Sequence, residues 1–258
     1  MLRIHAVWIL LSALAGLACN PGDPEELGIT ESSTGSSSVT DSDAVLPTLF
    51  GEPVASYVKA ADGIPMVVGV VIPIAAIENA PDGGPFQDEL VLDMPELARQ
   101  KTMLSHLRVN WLAHGHGPAP YGGAHFDFHF YRGTRAEIDT IDCQDHSAFP
   151  AEILTDDHLL PGTCVSRMGY HAWPSADAAP DAAFTASLIL GYYAQKMVFI
   201  EPMIARSTLL DRQDFELTIT KPMATGGAPT LYPTRMRALY IADESTYHLE
   251  FDRFVPVD

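Results

Sequence analysis

The chain is poor in positive charge and in cysteine, and it has no apolar run long enough to cross a bilayer as a helix. Lysine and arginine number 15 against 33 acids, a formal net charge of −18. A surface of that sign repels phosphate backbones and anionic headgroups, so nucleic acid is excluded as a partner. Three cysteines without a Cys-x-x-Cys pair set aside thiol redox proteins. Gly-x-Ser-x-Gly, a phosphate loop and His-Glu-x-x-His are missing too, which removes the commonest serine hydrolases, NTPases and zincin proteases. Neither an internal repeat nor a heptad pattern is present. The soft donors of a cuprous-ion store are missing around the histidines, although the chain has nine methionines.

What is there begins with an export signal. Arg3 precedes an apolar run from Ala6 to Leu17, which is too short for a membrane span of about 30 Å and is followed by Asn-Pro-Gly-Asp. Gly16-Leu17-Ala18-Cys19 has the layout of a lipoprotein cleavage box with Cys19 as the acylated residue, although Gly16 stands where leucine is usual. Residues 1–18 are expected to be a signal peptide. Residues 19–48, rich in serine, threonine and aspartate, are expected to be a flexible tether, and residues 49–258 one β-rich domain. The expected location is the cell envelope, at the outer membrane where one exists, with contact to the membrane only through the lipid; plain secretion is the alternative. In an oxidising compartment the remaining cysteines, Cys143 and Cys164, are expected to pair. Closing that loop contributes about 3 kcal/mol in the chain-entropy model.

The domain reads as strands separated by Gly/Pro-rich turns. The run from Ile64 to Ile74 is short, β-branched and bounded by prolines, which predicts a buried strand. Asp93-Met-Pro-Glu96 reads as a helix start, with the helix ending near Ser105. Leu107, Val109 and Trp111 alternate with polar residues and predict a half-buried strand over 106–112. Further strands are expected at 187–193, 196–204, 215–220, 231–241 and 247–254. The fold class is therefore mainly β, an antiparallel sandwich or barrel with one short helix, and α+β is the alternative.

Five of the ten histidines lie between residues 106 and 129. His114-x-His116 puts two imidazoles on one face if it lies on a strand, about 6 to 7 Å apart, but the flanking glycines equally place the pair on a loop. In His125-Phe-Asp127-Phe-His129-Phe-Tyr131 the phenylalanines take one face, and the histidines and aspartate take the other. His125 and His129 are about 13 Å apart on a regular strand and share an ion only at full stretch. Three geometries stay open: a bulge uniting the histidines, one ligand beside one acid/base group, or Asp127 orienting a histidine. A polar solvent face of an edge strand is the bland alternative. His171 lies among turn and aromatic residues, and Glu201 lies inside Met197-Val-Phe-Ile-Glu-Pro-Met203. A carboxylate in such a strand must be paired, metal-bound or protonated unless Pro202 ends the strand and releases it to solvent.

His and carboxylate donors together suit Zn first, and also Fe, Mn, Ni or Cu. The strings Gly115-His116-Gly-Pro118, His125 to Tyr131, Met168-Gly-x-His171 and Phe199-Ile-Glu201-Pro-Met-Ile204 resemble an uncharacterised family of exported prokaryotic proteins. The likeness implies that His116, His125, Asp127, His129, His171 and Glu201 form one set, and it implies no activity. The expected function is a divalent transition-metal site on His116, His125, His129, His171 and Glu201 or a subset of them. If catalytic, it is a metal-dependent hydrolase or lyase with Glu201 or Asp127 as base, and besides the metal ion the expected partner is a small-molecule ligand. The rival readings are a non-catalytic ligand-binding or envelope-stress module with the histidines as a polar network, and a metal-free acid/base enzyme built on His125 and Asp127.

Overall fold

Ile64–Pro73 is rich in valine and isoleucine, β-branched residues that fit a pleated, half-buried surface, and it pairs with Ala55–Ala61. Between them Asp62 and Gly63 both take positive φ, 50° and 73°, the backbone of a tight two-residue hairpin whose twist matches the strands it joins. A computed structural model describes residues 37–39, 45–159, 162–179 and 184–258. The signal-like segment, Cys19 and most of the expected tether lie outside the described residues.

Two antiparallel sheets carry the fold. The first has six strands in the order Ser37–Val39, Ala55–Ala61, Ile64–Pro73, Thr246–Asp252, Arg235–Ile241 and Phe215–Thr218. The second has seven, in the order Asp88–Asp93, His106–Leu112, His125–Tyr131, Lys196–Ala205, Ala186–Tyr193, Gly169–Ala172 and Cys164–Val165. The main core lies between them. Val58, Val68, Val70, Ile72, Leu249 and Phe251 from the first sheet meet Leu107, Val109, Phe126, Phe128, Phe130 and Ile200 from the second. Phe130 and Phe251 pack edge-on with ring centroids 4.7 Å apart. Complete burial of each large apolar side chain contributes about 1.5 to 3 kcal/mol, so this face fixes how the second sheet is oriented.

The other face of the second sheet carries a smaller cluster that includes Tyr121, Tyr131, Ile138, Ile141, Met168, Phe199 and Met203. Connecting segments roof it. Thr134 and Glu137 form a capping box that starts the helix Arg135–Asp139. Arg108 and Arg167 both bind Asp139, at 3.0 and 3.1 Å, and so fasten that helix to the sheet. The Cys143–Cys164 disulfide closes the following loop, as expected. No helix among the described residues is long and apolar enough to cross a membrane.

The mainly β class and the antiparallel sandwich stand, and several details differ. Among the described residues there are four short α-helices where one was expected: Ile74–Glu78, Glu96–Lys101, Arg135–Asp139 and Arg206–Leu210. Asp93 is not an N-cap but the last residue of a strand, its carboxylate bound to Arg135, and the helix after it ends at Lys101. The stretch 231–241 splits at Pro233, which lacks a ladder donor: Thr230–Tyr232 pairs with Val255–Val257, and Arg235–Ile241 joins the six-stranded sheet. Ile64 and Met66 are each 55 % exposed because the hairpin tip runs beyond the core. His106 to Trp111 are buried on both faces, since the second sheet is covered on both sides.

Candidate metal centre

His125–Tyr131 is the third of seven strands and is paired on both sides. All seven of its residues are buried, which excludes the edge-strand reading. Phe126, Phe128 and Phe130 face the main core, and His125, Asp127, His129 and Tyr131 share the opposite face, as the alternation predicts. The strand pairs residue for residue with His106–Leu112 and has no bulge there, so the histidines are not brought together by backbone irregularity. Instead, the candidate residues gather into two groups.

The inner group is His129, His171 and Glu201, each offering a ligand atom within 4.8 Å of the others. The register of Lys196–Ala205, with Ile200 opposite Phe130 and Met203 opposite Asp127, sets Glu201 across from His129. His129 Nε2 stands 3.4 Å from Glu201 Oε1. His171 arrives from two strands further along, opposite Gly191, which is itself opposite Phe199. The Phe199 ring lies flat over Gly191, where a Cβ would meet ring carbons at 2.1 Å. Both imidazoles pack on that ring, each at 4.9 Å between centroids. Gly191 is thus what allows His171 and His129 to meet, and it was missed from the sequence. A glycine inside an apolar strand is nonetheless a visible sign of close approach.

Glu201 and His129 are each 1 % exposed. His129 Nδ1 and Nε2 and Glu201 Oε2 have no hydrogen-bond partner among the described residues. His171 Nδ1 lies 3.1 Å from the Gly169 carbonyl, which only accepts, so the proton is on Nδ1 and Nε2 presents a lone pair. Burial pushes His129 down to about 3 and His171 down to about 4, which keeps both imidazoles neutral and able to ligate. Burial, reinforced by the charge of Asp127, pushes Glu201 well above the usual carboxylate range.

The outer group is His116, His125 and Asp127, again within 4.8 Å of one another. His125 Nδ1 donates to the Gly123 carbonyl at 2.7 Å and His116 Nδ1 to that of Gly117 at 2.8 Å. Both Nε2 atoms are thereby turned toward Asp127, at 3.2 Å from Oδ1 for His125 and 3.7 Å from Oδ2 for His116. His125 Nε2 and Asp127 Oδ1 are near each other yet not aligned as donor and acceptor, and neither has a partner among the described residues. Burial works to raise Asp127, and the adjacent His116 and His125 outweigh it, holding this carboxyl well below its ordinary range. His116 is raised: burial opposes the charged ring, and Asp127 prevails.

His114 and His116 lie beyond the end of their strand, on a loop turned by Gly115 at φ 61°, where a Cβ would strike the Tyr121 carbonyl at 2.2 Å. His116 N–H donates to that same carbonyl, which directs its ring inward. His114 is exposed and belongs to neither group, and His106 stacks on Tyr131. Tyr121 donates to Asp177 at 2.6 Å and so holds the outer group's roof. A cavity of about 240 Å³ bounded by Thr155, Asp156, His158 and Tyr192 shares no lining residue with either group.

Residues 61–111 match the TTHB210-like family, described as hypothetical protein TTHB210. The resemblance to an uncharacterised family therefore stands over that stretch. It ends before His116, so every member of the two groups lies outside the matched segment. Neither curated proteins nor solved structures give a match.

Proposed function

We propose that the chain is an extracytoplasmic, lipid-anchored protein that holds a divalent transition-metal ion, zinc first among the candidates, on His129, His171 and Glu201. The observation that carries this reading is the set of buried donor atoms that face one another and are not hydrogen-bonded to one another. An unpartnered buried polar atom costs about 1 to 3 kcal/mol. A polar network without an ion would have closed those bonds, whereas ligands need the lone pairs left free. Two imidazoles and one carboxylate are a donor set used by zinc and by non-heme iron, with coordination positions left over. The Cys143–Cys164 disulfide suits an oxidising compartment, and the lipid anchor rests on Gly16-Leu17-Ala18-Cys19.

A bound ion would supply Lewis-acid activation of water or of a substrate oxygen. In a hydrolase or lyase of this design Glu201, committed as a ligand, is no longer free to act as base. The burial of His129 and Glu201 supports retention of an ion more strongly than entry of a substrate, so metal binding is the conclusion and hydrolysis its extension. The motif strings from His116 to Glu201 are, on this reading, the sequence mark of the centre. Elemental analysis of the untagged protein tests it: at least one metal ion per chain in the parent and one fewer in a folded Glu201→Gln variant are expected. A metal-free parent after growth in metal-replete medium would overturn the proposal.

A further inference from the structure

The two groups are separate places, although each consists of two histidines and one carboxylate. His125 and His129 sit four residues apart on a strand that pairs one-to-one with its neighbour throughout, so their backbones are about 13 Å apart. Their side chains do not stretch toward each other. His125 is anchored at Nδ1 by Gly123 and faces Asp127, while His129 faces Glu201. Metal–nitrogen bonds of about 2.0 to 2.1 Å leave no position from which one ion serves all six residues.

We infer that His116, His125 and Asp127 form a second metal site, which binds its own divalent transition-metal ion beside the one proposed on His129, His171 and Glu201. Three observations support it. His125 and Asp127 are 0 % and 3 % exposed, and His125 Nε2 and Asp127 Oδ1, 3.2 Å apart, have no hydrogen-bond partner among the described residues. Both histidines have Nδ1 tied to a backbone carbonyl, the outer-shell contact that fixes a ligating Nε2. The loop geometry at Gly115 directs His116 back toward Asp127 rather than into solvent. The sites differ in access. The His116 side chain is 40 % exposed, whereas His129 and Glu201 are closed in, so the outer ion exchanges with solvent faster than the inner one.

The inference rests on the inner-site reading, and one set of measurements separates the two. The full-length untagged protein is loaded with Zn2+ and passed through a desalting column, and zinc per chain is counted in the parent, Asp127→Asn, His116→Ala, Glu201→Gln and His171→Ala. His116 is on an exposed loop and His171 is half-buried, so these two variants keep the test readable if a carboxylate variant does not fold. The expected result is two zinc ions in the parent and one in each folded variant, with release to a chelator in two phases, the faster one missing from His116→Ala. One zinc in the parent that is lost only from the Glu201 and His171 variants would overturn the second site and leave the first standing. One zinc lost from all four variants would mean a single shared centre and overturn it as well. One zinc lost only from the Asp127 and His116 variants would overturn the inner site, and no zinc at all would overturn both.

Discussion

Replacing Gly191 by alanine tests the packing that brings His171 to His129. The new methyl carbon would lie 2.1 Å from Phe199 Cδ1 and Cε1 and 2.4 Å from Cγ, well inside van der Waals contact. Phe199 has no free space to move into: it is 0 % exposed and packs on His129, Tyr131 and His171. Overpacking a filled core costs about 1 to 3 kcal/mol, and striking a rigid ring places this case at about 3. For a domain of this size each kcal/mol lowers Tm by roughly 2 to 4 °C, so Gly191→Ala should melt about 6 to 12 °C below the parent. The assay is thermal unfolding by circular dichroism on metal-free protein, with zinc content measured in parallel. Because the ring is the obstacle, Gly191→Ala combined with Phe199→Leu should be less damaged than the sum of the two single changes, a coupling of about 1 kcal/mol or more. Parent-like melting of Gly191→Ala with zinc retained would refute the reasoning.

Chelation should lower Tm, since an ion bound only to the native state stabilises by about 2.7 kcal/mol at a hundred times its Kd; equal melting with and without chelator would argue against a native metal centre. Glu250 is held below its ordinary pKa, burial being outweighed by Tyr57, Lys59 and Arg237. Its contribution is therefore present above the unfolded value of about 4.3 and is lost as pH falls through and below that value. Urea midpoints from pH 6 to 3 should fall less steeply for Glu250→Gln, and an unchanged slope would count against that pairing. Reduction of Cys143–Cys164 should cost about 3 kcal/mol in urea unfolding, whereas a loss near zero would mean that the loop adds no constraint to the unfolded chain. Cys19→Ala should move the protein from the membrane fraction to the soluble one, and unchanged fractionation would remove the lipid anchor from the proposal.

Local chemistry was readable wherever one residue pattern answers to one physical cause. Alternation in His125–Tyr131 assigned its two faces, because a strand's side chains alternate whatever surrounds it. Glu201 stood out because a carboxylate within Met197–Met203 cannot be buried without consequence. The oxidised pair Cys143–Cys164 followed from the number of cysteines. The helix expected after Asp93 is there, over Glu96–Lys101, but Asp93 is not its N-cap: capping is a local preference, and the pairing of Asp88–Asp93 with His106–Leu112 outweighed it.

The sequence by itself determined the β class, the candidate donors and the two faces of His125–Tyr131, since these depend on residue chemistry and a two-residue period. Only the tertiary structure decided how the donors are grouped. Which histidine meets which carboxylate depends on the register between strands distant in the chain, on Gly191 yielding space to Phe199, and on Gly115 turning His116 inward. Those are long-range steric facts, and a one-dimensional pattern does not encode which residues end up across from one another.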